Sequence, residues 1–106
     1  SGVIMTIDVK RGTLQFLKQQ HLKIYYSSEW GERGFCNNCG TNLFWRMKDH
    51  SYCNINAFSL DEAPNDLKLD LEIYIDHKPT FYSFSNETKK LTEADVIALF
   101  TSVAQE

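Results

Sequence analysis

The chain has 106 residues, 42% hydrophobic and 24% charged, which fits an ordinary globular protein and excludes a disordered or fibrous one. That length fits a single compact domain over residues 1–106 with one core. A formal charge of −3 argues against a nucleic-acid binder, and no apolar run is long enough to cross a bilayer. With no signal segment at the start, the expected location is the cytoplasm.

Ser1-Gly2-Val3 opens the chain without an initiator methionine, as a processed or partial chain would, with Met5 as an alternative start. Short β-strands separated by turns dominate the rest of the chain. Residues 3–9 (VIMTIDV) are apolar and β-branched enough for a first strand. Residues 12–20 (GTLQFLKQQ) fit a short helical turn, and 22–26 (LKIYY) alternate as a second strand. A strand over 41–47 (TNLFWRM) comes directly after a cysteine turn, and 51–58 (SYCNINAF) alternate with period two. The cleanest alternation runs through 67–75 (LKLDLEIYI), and 80–84 (TFYSF) after Pro79 reads as an edge-like last strand. In 91–106 (LTEADVIALFTSVAQE) the period changes: Val96, Leu99, Phe100 and Val103 fall at helical spacing, with Thr92 as N-cap. The expectation is a mainly β, antiparallel fold with one C-terminal α-helix packed on it.

Chemistry concentrates in GFCNNCGTNLFW, residues 34–45. Cys36 and Cys39 form a C-x-x-C knuckle closed by Gly40, a common way to present two thiolates to one metal ion. A structural zinc takes four ligands. The remaining cysteine, Cys53, alternates with Ile55 and Ala57 and reads as a small buried hydrophobe. His21, His50 and His77 lie in polar, turn-like surroundings; His50, between the strands that flank the knuckle, is the best of three weak ligand candidates. A thioredoxin-like redox role fits less well, because strand residues rather than a helix come after the knuckle. No nucleophile elbow or phosphate loop is present. Phe44, Trp45 and Tyr74 read as core aromatics, while Trp30 and Phe81 sit beside turns where they could line a pocket.

In its flanks the knuckle is more specific. YYSSEWGERGFCNNCGTNLFW (25–45) resembles the central signature of the glutathione-dependent formaldehyde-activating enzyme family, which includes centromere-protein-V-like proteins. Ser27, Ser28, Arg33, Phe35, Cys36, Cys39, Gly40, Thr41, Leu43, Phe44 and Trp45 match in order and spacing, with Tyr25 or Tyr26 ahead of them. Downstream, Leu60, Asp61, Ile73, Tyr74, Lys78, Pro79 and Tyr82 match a second segment.

The resemblance implies a β-tent domain in which Cys36 and Cys39 supply half of a tetrathiolate zinc site, the other half coming from an upstream C-x-C pair. A second zinc on a C-x-C-x-x-C cluster serves catalysis in the family. The activity implied is a carbon–sulfur lyase that joins formaldehyde to glutathione, a small thiol, giving S-hydroxymethylglutathione. Ser1-Gly2 align with the Ser-Gly that comes after the catalytic cluster, so the cysteines that would hold the catalytic zinc fall before residue 1. The chain as it stands is therefore expected to be inactive. Phe58 replaces a usual glycine, Glu72 a usual histidine and Phe81 a usual tryptophan, and the changes at Phe58 and Phe81 would reshape a pocket built from those positions. The alternative expectation is a non-catalytic binding module that keeps the fold without the metal and self-associates through an exposed N-terminal strand edge.

Overall fold

The computed structural model describes residues 3–104, with side chains through Thr101; Ser1 and Gly2 lie outside the described residues. The chain divides into two compact units, one running to Pro64 and one from Asn65 onward. The fold is mainly β with a C-terminal helix, as the sequence leads one to expect.

The first unit is a five-stranded antiparallel sheet in the order β1-β5-β4-β3-β2. Its strands are β1 (Thr6–Val9), β2 (Leu22–Tyr25), β3 (Gly31–Cys36), β4 (Asn42–Met47) and β5 (Cys53–Asn56). Opposed residues of an antiparallel ladder share a face. The register therefore lines up Ile7, Ile55, Phe44, Gly34 and Ile24 on one side. Phe44 is the buried centre of that side, and its ring lies directly over Gly34: a Cβ there would come within 2.3 Å of ring carbons. Phe16 covers Phe44 at a ring separation of 5.4 Å. Next along the same face, Arg46 sits 4.9 Å from the Phe44 ring and donates through Nε to Glu32 Oε1 at 2.6 Å. Glu32 is a buried carboxylate, held there by that partner. On the opposite face Trp45 meets Trp30 edge-on at 5.6 Å and Tyr52 at 5.9 Å.

The strand β3 has no counterpart in the sequence reading. GERGFC has weak strand propensity, but it is flanked on both sides, by β2 and β4, and its glycines admit the rings of Trp45 and Phe44. The register slips between Gly34 and Phe35, leaving Leu43 out of the ladder as a β-bulge next to the knuckle. Residues 12–20 do not form the expected helical turn. The chain instead reverses at Lys10–Thr13, where Thr13 N donates to Lys10 O at 3.1 Å, and runs irregularly to β2.

The second unit is built around α1 (Glu93–Ala104). Thr92 caps it as expected: Asp95 N donates to Thr92 Oγ1 at 3.2 Å and Thr92 N to Asp95 Oδ2 at 2.9 Å, a reciprocal box. Val96 is buried and Phe100 half-buried, but Leu99 is exposed, and the side chain of Val103 lies outside the described residues. The expected long strand over 67–75 shrinks to β6 (Leu71–Glu72), paired in parallel with β7 (Lys89–Lys90). Two residues of neighbour satisfy two residues of ladder, and Tyr74 then turns left-handed (φ 55°) into a 3-10 turn at Ile75–His77. Tyr74 is half-buried rather than core. Residues 80–84 are not a strand. Lys78 Nζ takes up the carbonyls of Pro79, at 2.9 Å, and Tyr82, so this segment wraps an ammonium instead of joining a ladder.

Candidate metal centre

The knuckle is the β3–β4 turn. Gly40 N donates to Cys36 O at 2.7 Å and Cys36 N to Thr41 O at 2.9 Å, and Gly40 takes the left-handed conformation (φ 80°) that closes the loop. A third bond, Asn37 N to His21 O at 2.8 Å, ties the turn to the start of β2. Cys36 is half-buried and Cys39 exposed, both as thiols outside any disulfide. Cys39 Sγ lies 3.2 Å from Thr41 Oγ1. Hydrogen bonds from the Thr41 hydroxyl and backbone, and then from Cys36, hold the Cys39 thiol below its ordinary range. Thiolate is the form that binds metal, so the turn favours the ligating state. Two soft donors on one hydrogen-bonded turn fit one half of a thiolate zinc site.

The other candidates are elsewhere. Cys53 pairs with Val9 and Arg46 in the middle of the sheet; burial pushes its thiol up. It is half-buried, less enclosed than its alternation implies. His50 occupies the β4–β5 turn, at the opposite end of the hairpin from the knuckle, with Nε2 3.6 Å from Glu32 Oε1. Sequence adjacency in strands that reverse direction misplaces it. His77 belongs to the second unit, where Nε2 lies 2.8 Å from Glu93 Oε2 and 4.0 Å from Asp76 Oδ2. Among the described residues, Asp76, His77 and Glu93 are the one group of three whose ligand atoms lie within 4.8 Å of one another. Within that group His77 is already hydrogen-bonded to Glu93.

His21, which the sequence reading ranked below His50, is the histidine that lies beside the knuckle. It lines a groove of about 540 Å³ together with Cys36, Cys39, Phe16, Lys18 and Phe58. Only the β2–β3 register, which sets Leu22 opposite Cys36, brings it there. Leu43 of the bulge is also on this wall. Trp30 and Phe81 are not among the residues that line it; Trp30 packs on Trp45, and Phe81 is 84% exposed beside Tyr82.

Comparison with known proteins bears on this site in one respect. The chain is 37% identical over 79 residues to a Schizosaccharomyces pombe (strain 972) protein named as an uncharacterized lyase. The relative is a lyase by name. The match takes in 69% of this chain and 53% of the relative, so the chain spans about half the length of the curated protein it matches. No protein-family model matches the chain, and no solved structure does. Among the described residues no helix is long and apolar enough to cross a membrane.

Proposed function

We propose that this chain is part of a zinc-dependent carbon–sulfur lyase that adds a small thiol, glutathione, to formaldehyde. The observation that carries the reading is the thiol pair on its rigid turn, in a chain 37% identical over 79 residues to a named lyase. In the reaction the thiol sulfur bonds to the carbonyl carbon, the C=O π bond opens, and the thiol proton ends on the new hydroxyl. A bound catalytic zinc would supply Lewis-acid polarisation of the carbonyl. Cys36 and Cys39 would hold a structural zinc, with two further ligands from outside the β3–β4 turn. The chain's own contribution is to fix those two sulfurs through the Cys36–Gly40, Cys36–Thr41 and Asn37–His21 backbone bonds, and to wall the groove beside them.

Zinc content of the full-length protein tests this directly. About two ions per chain, falling when Cys36→Ser is introduced, together with formation of the S-hydroxymethyl adduct from labelled formaldehyde, is the expected result. Zinc-free protein without adduct formation would overturn it. It would leave the second reading, a non-catalytic module that associates through its sheet edge, which is favoured by β1 lying at that edge with Val3 and Ile4 half exposed ahead of it.

A further inference from the structure

The three thiols of the chain sit in different surroundings. Cys53 lies in the middle of the sheet, where burial pushes its thiol up and disfavours the reactive thiolate. Cys39 is exposed, on a turn whose residues 37–41 are all exposed, and a Cβ added at Gly40 would meet nothing within 4 Å. No helix begins at this turn; hydrogen bonds from Thr41, whose Oγ1 lies 3.2 Å from Cys39 Sγ, favour the thiolate instead. Cys36 is half-buried beside it, and its side chain hydrogen-bonds the Cys39 thiol. The Gly40 N–Cys36 O bond of 2.7 Å closes one helix-like turn, on which residues three apart are neighbours. A disulfide needs Cα atoms about 4.4–6.8 Å apart, a separation that such a turn supplies. An open thiolate with a second thiol in contact is how one sulfur attacks a disulfide and the other resolves the adduct.

We propose that Cys39 is a thiol-modification site, attacked by no helix dipole but open to a low-molecular-weight disulfide, with Cys36 resolving the adduct into a Cys36–Cys39 disulfide. In the first step the Cys39 sulfur bonds to one sulfur of the small disulfide, whose S–S bond breaks, and one small thiolate leaves. In the second the Cys36 sulfur bonds to Cys39 Sγ, the mixed disulfide breaks, and the other small thiolate leaves. The two protein thiols give up two protons and two electrons, and the small disulfide becomes two thiols. Only the turn is required for this chemistry. On the zinc reading of the same sulfurs it adds a regulation, because sulfurs joined to one another are no longer thiolate ligands. Metal loading and oxidation of the pair then exclude one another.

The test uses the 106-residue chain, freed of metal with a chelator, and glutathione disulfide as the probe. Wild-type protein is expected to lose the mass of two hydrogens and to release two glutathione molecules per chain. Cys36→Ser should stop at a glutathione adduct mapped to Cys39. Cys39→Ser should react about tenfold more slowly, and Cys53 should stay unmodified in all three proteins. Brief alkylation of the unmutated protein, which depends on no variant folding, should label Cys39 before Cys36 and Cys53. A lasting adduct on wild-type protein, an equally fast adduct on Cys36 in Cys39→Ser, or first labelling at Cys53 overturns the assignment. The zinc reading is scored separately, by repeating the oxidation after zinc loading. Protection by zinc keeps that reading whatever the adducts show. Oxidation at the metal-free rate sinks it and leaves the modification site standing.

Discussion

Two residues carry much of what the first sheet requires. At Gly34 the Phe44 ring occupies the space a side chain would need, with ring carbons 2.3 Å from an ideal Cβ. Gly34→Ala must displace Phe44, the one buried apolar side chain of that unit among the described residues. The expected cost is about 1–3 kcal/mol, read as a lower urea midpoint at unchanged slope. A neutral result would mean that Phe44 can swing aside. Glu32 presents the opposite problem, a carboxylate 5% exposed whose burial depends on Arg46 at 2.6 Å. Glu32→Ala strands a guanidinium against Phe44 and is expected to cost about 3 kcal/mol. Replacing both partners with apolar residues should recover most of that loss, and a double-mutant cycle measures how much.

Elements show what the sequence does and does not disclose. The strands β2 and β5 were legible from period-two alternation in the sequence, β1 from its apolar and β-branched residues, and β4 from its place directly after the cysteine turn. The thiol pair was legible because its spacing is local. β3 was hidden, since its glycines and charges make sense only against the rings and the arginine of β4. The register that brings His21 to the knuckle was hidden with it. Residues 67–75 erred the other way: alternation says which side chains would share a face, not whether a neighbouring strand exists to hold them. At the start of α1 the capping was readable, but the tie from His77 to Glu93 was not. The Glu93 carboxylate, and after it Asp76, raises His77 above its ordinary 6.5. A raised folded value means that this contribution is fully present below the unfolded value and is lost as pH rises through the folded one. Wild-type stability should therefore fall relative to His77→Gln as pH climbs from about 6 to 8, the range in which histidine titrates. Parallel stability curves for the two proteins would show that the pair contributes nothing.

For the whole molecule, each unit has one buried apolar side chain among the described residues, Phe44 in the first and Val96 in the second, each still 6% exposed. Leu17, Phe58 and Phe81 remain more than three-quarters exposed. Folded proteins hold only about 5–15 kcal/mol in any case. A fold with so little enclosed apolar surface belongs at the low end of that range, where a bound ligand makes a large difference. Zinc at a hundred times its dissociation constant would add about 2.7 kcal/mol if it binds only the folded chain. At about 4–8 °C per kcal/mol, zinc-loaded protein should melt roughly 10 °C or more above chelator-treated protein. The shift should vanish in the Cys36→Ser, Cys39→Ser double variant, because those sulfurs are the donors that the β3–β4 turn presents. A shift that survives in the double variant and disappears with His77→Gln would move the metal to the Asp76–His77–Glu93 group of the second unit. Identical melting with and without zinc would remove metal from the account of this fold altogether, and leave the turn as a thiol pair hydrogen-bonded to Thr41.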